Sequence, residues 1–255
     1  MPKLIEDARH RASAPSHDGE GASPRPTEPS RARCRARAKT LLTILAALVL
    51  APLTVVVGMG IPGNGYYLSG TLIVLYAIVP FFVAFEGRRP TAREIAVVAV
   101  LTALAVAARA AFVWVPHFKP MAAIIMIAGI AAGPQTGFLV GSVAALASNF
   151  IFGQGPWTPW QMFAMGCIGG LAGSLFSRRG RRPRKGMLCL FGFLAAVVLY
   201  GAVMNTASVL LWSHSLQWEL IAAACAAGLP MDLLHGGSTA LLLYLLADPV
   251  QGKLD

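Results

Sequence analysis

The chain has 255 residues, 56% of them hydrophobic and 13% charged, and its mean hydropathy is +0.64. Soluble domains are typically about a quarter charged, so this composition excludes a soluble fold and points to a polytopic membrane protein. A net charge of +10, from 21 Lys and Arg against 11 Asp and Glu, does not indicate a nucleic-acid partner, because the basic residues are placed beside the apolar runs.

Residues 1–40 are polar and rich in Pro, Ser and Arg, ending in Arg31, Arg33, Arg35, Arg37 and Lys39. Too little apolar surface exists there to offset the entropy of ordering, so a disordered basic cytoplasmic tail is expected, with no cleavable signal peptide. Apolar segments 41–58 and 66–85 then predict a transmembrane hairpin within 41–87. The rest, 88–255, is expected to form a six-helix core with segments 94–115, 120–133, 135–152, 160–177, 187–212 and 219–246. Lipid offers no water to backbone groups, and continuous apolar runs without alternation are helical rather than strand-like. The fold class is therefore all-α, a polytopic bundle of about eight transmembrane helices. The shortest segment, 120–133, covers only about 20 Å at about 1.5 Å per residue, so it either re-enters or leans on its neighbours. The break at Gly133-Pro134-Gln135-Thr136-Gly137 suits a tight helical hairpin.

Nineteen of the 21 basic residues fall in four stretches: the tail, Arg88 to Arg93, Arg178 to Lys185, and Lys253. Eight crossings place all four on one side, and basic loops stay cytoplasmic, so both termini are predicted inside. The exceptions are Lys119 in an outer loop and Arg109 within a helix. Of the four cysteines, Cys167, Cys189 and Cys225 lie within apolar segments and no CxxC occurs, which predicts small apolar packing rather than disulfides or metal.

Ionisable residues inside a membrane are costly and are default candidates for function. Arg109, Asp232 and His235 are such residues, joined by the amides of Asn149, Gln161 and Asn205. Asp232 and His235 are three apart and share a helical face; they form either a buried pair or part of a cavity wall. The outer loop Gly153-Gln154-Gly155-Pro156-Trp157-Thr158-Pro159-Trp160-Gln161 combines aromatic rings, amides and restrained backbone, which fits closure over a ligand as well as an interfacial aromatic belt. The loops around Lys119 and Trp218 are similarly mixed. Substrate-binding candidates are thus Arg109, Lys119, Asn149, Gln154, Trp157, Trp160, Gln161, Asn205, Asp232 and His235. In helix 94–115, Ala99, Ala103, Ala107 and Ala111 recur every four residues, a face on which another helix can approach closely. Spacing alone leaves open whether that helix is internal or belongs to another protein.

The stripe of Ala99, Ala103 and Ala107, the run Arg109 to Pro120, Gly137-Phe138-Leu139-Val140-Gly141, Ser148-Asn149-Phe150, the loop to Gln161 and Asp232-Leu233-Leu234-His235 together resemble the substrate-binding S-component of energy-coupling factor (ECF) vitamin transporters. The resemblance covers residues 88–246; the two helices before it are a departure from the family pattern. It implies that Ala99, Ala103 and Ala107 dock on a membrane scaffold subunit, that the outer loops close an outward-facing cavity, and that two cytosolic ATPases power delivery. No GxxxxGK[ST] phosphate loop occurs in the chain, so ATP hydrolysis is expected on partner subunits and no cofactor on this one. The ligand is expected to be a ring-bearing, largely uncharged water-soluble vitamin, a corrinoid being one candidate, taken up across a bacterial cell membrane. Two other classes compete. A stand-alone carrier or channel would be expected to show inverted repeats. An intramembrane enzyme would use Ser238 in Gly236-Gly237-Ser238-Thr239-Ala240, but that motif needs a strand–turn–helix context absent from an apolar helical run.

Overall fold

Apolar residues that cannot leave backbone groups unpaired in lipid form helices here, separated by short polar or glycine-bearing connections. The computed structural model describes residues 65–87, 90–115, 118–177, 183–213 and 217–251, together with Leu53, Thr54 and Val57. No strand occurs among them. The expected tail 1–40, most of segment 41–58 and the basic residues Arg88, Arg89, Arg178 to Arg182 and Lys253 lie outside the described residues.

From Gly65 onward the described residues form seven helices in order: α1 (Gly65–Gly87), α2 (Ala92–Ala111), α3 (Met121–Ala132), α4 (Pro134–Phe152), α5 (Thr158–Phe176), α6 (Lys185–Ser213) and α7 (Trp218–Gln251). Five of these, α1, α2, α4, α6 and α7, are long and apolar enough to cross a membrane. α5 has the length, but Thr158, Pro159, Trp160 and Gln161 open it and four glycines interrupt its apolar side chains. α3, with 12 residues, rises only about 18 Å.

Local chemistry sets the ends. α2 begins two residues before the sequence expectation because Thr91 and Glu94 form a capping box: Thr91 Oγ1 accepts from the Glu94 N–H at 3.3 Å and Glu94 Oε2 from the Thr91 N–H at 2.9 Å. It stops at Ala111 instead of 115, where the approach to Pro116 disfavours helical backbone and the Phe112 and Phe118 rings meet at 4.8 Å. The expected hairpin at 133 is present. Gly133 alone joins α3 to α4, at a φ of 94° that favours glycine, and Pro134 opens α4 where its missing N–H is harmless.

With no hydrophobic drive between helices in lipid, close packing holds them together. α3, α4 and α5 meet through glycines: a Cβ on Gly137 would stand 2.5 Å from Gly129 Cα and one on Gly173 2.6 Å from Pro134 Cα. Met121, Ile125, Met126, Val140, Met165, Ile168 and Leu243 fill the main core among α3, α4, α5 and α7. A second cluster, Val74, Ile78, Phe138, Trp160, Ala207 and Leu210, seats α1 against α4, α5 and α6. Ser69 on α1 also lies 2.9 Å from the carbonyl of Thr54. On α2, Thr102 and Ala105 face inward, whereas Ala99, Ala103 and Ala107 are exposed, with no described residue covering them. Cys167, Cys189 and Cys225 carry no disulfide.

Candidate functional site

The segment between α4 and α5 is organised by one hydroxyl. Gly153 turns the chain out of α4 at a φ of 112°, and Thr158 opens α5. Thr158 Oγ1 donates to Gln154 Oε1 at 2.9 Å, accepts from the Gly155 N–H at 3.4 Å, and accepts from Asn149 Nδ2 at 3.0 Å. The loop is thereby tied to the last turn of α4.

Asn149 is the hub of the arrangement. It is 1% exposed, and all of its contacts are between helices or to the loop. Its Oδ1 accepts from Arg109 of α2 at 3.1 Å, and its Nδ2 donates to Gln161 Oε1 of α5 at 2.8 Å. Arg109 also donates to Ser148 Oγ at 2.5 Å, and its guanidinium lies 4.9 Å from the centre of the Phe152 ring. Gln161 passes the chain of bonds on, donating from Nε2 to Tyr200 Oη at 3.3 Å. An unpaired buried amide would cost about 1–3 kcal/mol; here each is shared between helices, which fixes their relative rotation.

Tyr200 receives contacts from three directions. It ends a π-helical turn, Ala195–Tyr200, inside α6; the extra residue in such a turn shifts the face that the rest of the helix presents. Its ring meets His235 of α7 edge-on, with centroids 4.9 Å apart and planes at 86°, and the Lys119 ammonium stands 5.5 Å from its centroid, a cation–π geometry. The Lys119 N–H donates to Ser238 Oγ at 3.2 Å. Ser238 lies 20 residues into α7, about 30 Å along the helix, so Lys119, which leads into α3, is placed well down the bundle instead of at its end. That placement is why α3 is short.

Six of the ten candidate residues therefore join one network: Arg109, Lys119, Asn149, Gln154, Gln161 and His235. Asn205 and Asp232 form another contact between α6 and α7, with Asn205 Nδ2 donating to Asp232 Oδ2 at 3.1 Å; Gly201 lies against that carboxylate and Gly228 against the Asn205 amide. The two tryptophans diverge. Trp157 is 41% exposed and covers Gly155, whereas Trp160 is 8% exposed and its Nε1–H donates to Thr71 Oγ1 of α1 at 3.2 Å. Sequence reasoning missed Tyr200, Ser148, Thr158 and Ser238 as members. Tyr200 had a signal: it is the one tyrosine in the apolar run 187–212, and a buried tyrosine hydroxyl usually finds a partner. Among the described residues no three His, Cys, Asp or Glu side chains gather as metal ligands would.

Five span-competent helices and a polar network enclosed among helices define a multi-pass membrane protein. Residues 90–251 match the family model described as ECF-type riboflavin transporter, S component, and the chain belongs to that family. It is a family of transporter subunits for vitamin uptake, not of enzymes. The match begins after α1. No curated protein and no solved structure matches the chain.

Proposed function

We propose that this chain is the substrate-capturing subunit of an ECF importer in a bacterial cell membrane, and that it takes riboflavin, the vitamin in the family's description. The observation that carries this reading is the network Arg109–Asn149–Gln161–Tyr200–His235 with Lys119 beside it. Riboflavin offers a flat ring with carbonyl oxygens and a hydroxylated tail. Arg109 and Lys119 supply donors to ring oxygens, the amides serve the hydroxyls, and the exposed Trp157 supplies a face for the ring. Asp232 and Asn205 extend the polar wall. We further propose eight membrane crossings with both termini inside, a basic cytoplasmic tail over 1–40, a hairpin over 41–87 and the substrate-binding core over 88–255. A membrane scaffold and cytosolic ATPases, which would hydrolyse the ATP, complete the importer.

The test is a titration of the purified full chain in lipid nanodiscs with riboflavin and, separately, cobalamin. Saturable quenching of flavin fluorescence, lost in Arg109→Met, is the expected result. Cobalamin binding without riboflavin binding would move the ligand to the corrinoid, and binding of neither would remove the ligand assignment. Uptake into liposomes by this chain alone would favour a stand-alone carrier instead.

The exposed face of Ala99, Ala103 and Ala107 supports its assignment as the scaffold-docking surface. Ala103→Leu adds bulk where a second backbone would approach. It is expected to leave riboflavin affinity within about twofold while reducing coupled uptake in cells at least tenfold, since exposed substitutions perturb stability little. Normal uptake would show that the stripe does not dock the scaffold.

A further inference from the structure

α1 precedes the family-matched region, yet it grips the segment that edges the site. The Tyr67 hydroxyl donates to the carbonyl of Pro156. Thr71 Oγ1 accepts from Trp160 Nε1–H at 3.2 Å. Between them Gly70 leaves room for the indole: a Cβ there would stand 2.7 Å from Trp160 Cζ2. Tyr67, Gly70, Thr71, Val74 and Ile78 follow the three-and-four spacing of a single helix face. Its later turns are seated apolar, with Val74 and Ile78 in the cluster containing Phe138, Leu210 and the ring of Trp160.

Apolar contact by itself is only weakly selective in lipid, where the tails are equally apolar; directional bonds and close fit decide where a helix sits. The two hydrogen bonds of α1 bracket Trp157 and Thr158. Thr158 is itself held by Asn149 and Gln154. The segment is thus clamped by both the polar network and α1.

We infer that α1 is a positioning element for residues 153–160, and that exchange of ligand requires its hold on Pro156 and Trp160 to loosen. The consequence for ligand rests on the reading of that segment as the edge of the vitamin site; the clamp itself does not. The extra helix is therefore part of the working unit, setting how often the edge opens.

The experiment uses the full chain in nanodiscs, with two alterations that act by different routes. Tyr67→Phe combined with Thr71→Val deletes both bonds and keeps the shape of the face. Gly70→Ala keeps the bonding groups and pushes the indole away. Backbone amide hydrogen exchange reads the clamp without any ligand, because the Gly155, Thr158 and Gln161 amides are all bonded in the closed segment. Exchange at these amides is expected to rise roughly tenfold in both variants, the effect of losing about two ordinary hydrogen bonds, while the amides of α3 and α4 stay unchanged. Riboflavin dissociation should accelerate by a similar factor. Unaltered exchange at 155–161 in both variants would overturn the inference. Faster exchange in a protein whose wild type fails to bind riboflavin would uphold the clamp and reject the vitamin site.

Discussion

Asn149→Ala is expected to weaken riboflavin binding by about 10- to 100-fold and to lower the thermal stability of the chain. The side chain accepts from Arg109 and donates to Thr158 and Gln161 within a region shut off from solvent. Its removal leaves the Gln161 carbonyl oxygen without that donor and releases the Arg109 guanidinium to turn elsewhere. Each group so stranded costs about 1–3 kcal/mol, and every 1.4 kcal/mol that appears in binding is a factor of ten in affinity. Part of the cost is present in the unliganded protein too, so both quantities should move. A flavin-quenching titration paired with thermal unfolding in detergent checks this. A lower melting temperature with unchanged affinity would show that the network packs the bundle without shaping a ligand site.

The largest effect on stability is expected from Gly169→Ala. A Cβ there would stand 2.6 Å from the carbonyl carbon of Gly137 and 2.8 Å from Ile125 Cγ2. Backbone cannot yield as a flexible side chain can, so α4 and α5 must separate along a contact that continues through Gly141 and Gly166. Overpacking costs about 1–3 kcal/mol, and the rigid partner puts this site at the upper end. For a chain of this size that corresponds to a fall of roughly 6–12 °C in melting temperature. Gly186→Ala is the matched control, since nothing stands within 4 Å of its added carbon and alanine is the better helix former; its melting temperature should hold or rise slightly. Equal behaviour of the two variants would mean that the glycine contact among α3, α4 and α5 contributes little.

Much of the helical layout was legible in the sequence because it depends on local rules. Seven of the expected apolar segments appear as helices, with ends moved by a few residues where the Thr91–Glu94 capping box or the approach to Pro116 intervened. Gly133-Pro134 was readable as a hairpin because only a residue tolerant of positive φ fits that turn. The short third helix was visible as an anomaly of length, but not its cause, the placement of Lys119 beside Ser238 on a helix more than a hundred residues later.

The polar network was legible as a set of residue types and not as an arrangement. A polar residue in an apolar run stands out by composition, which is how Arg109, Asn149, Gln161, Asp232 and His235 were found. Tyr200 is amphipathic and passed as part of the run, although it touches Gln161, His235 and Lys119. Trp160 was grouped with Trp157 as part of a loop that could close over a ligand, and its indole faces α1. Sequence alone determined the solvent this chain lives in, the number and position of most helices and the short list of costly polar groups, since each depends on composition and on neighbours within a few turns. The tertiary structure decided which of those groups meet, which face of α2 is left uncovered and that α1 holds the loop after α4. Those outcomes depend on how each helix is rotated and how closely glycines let it approach, and they join residues too far apart in the chain for any periodicity to record.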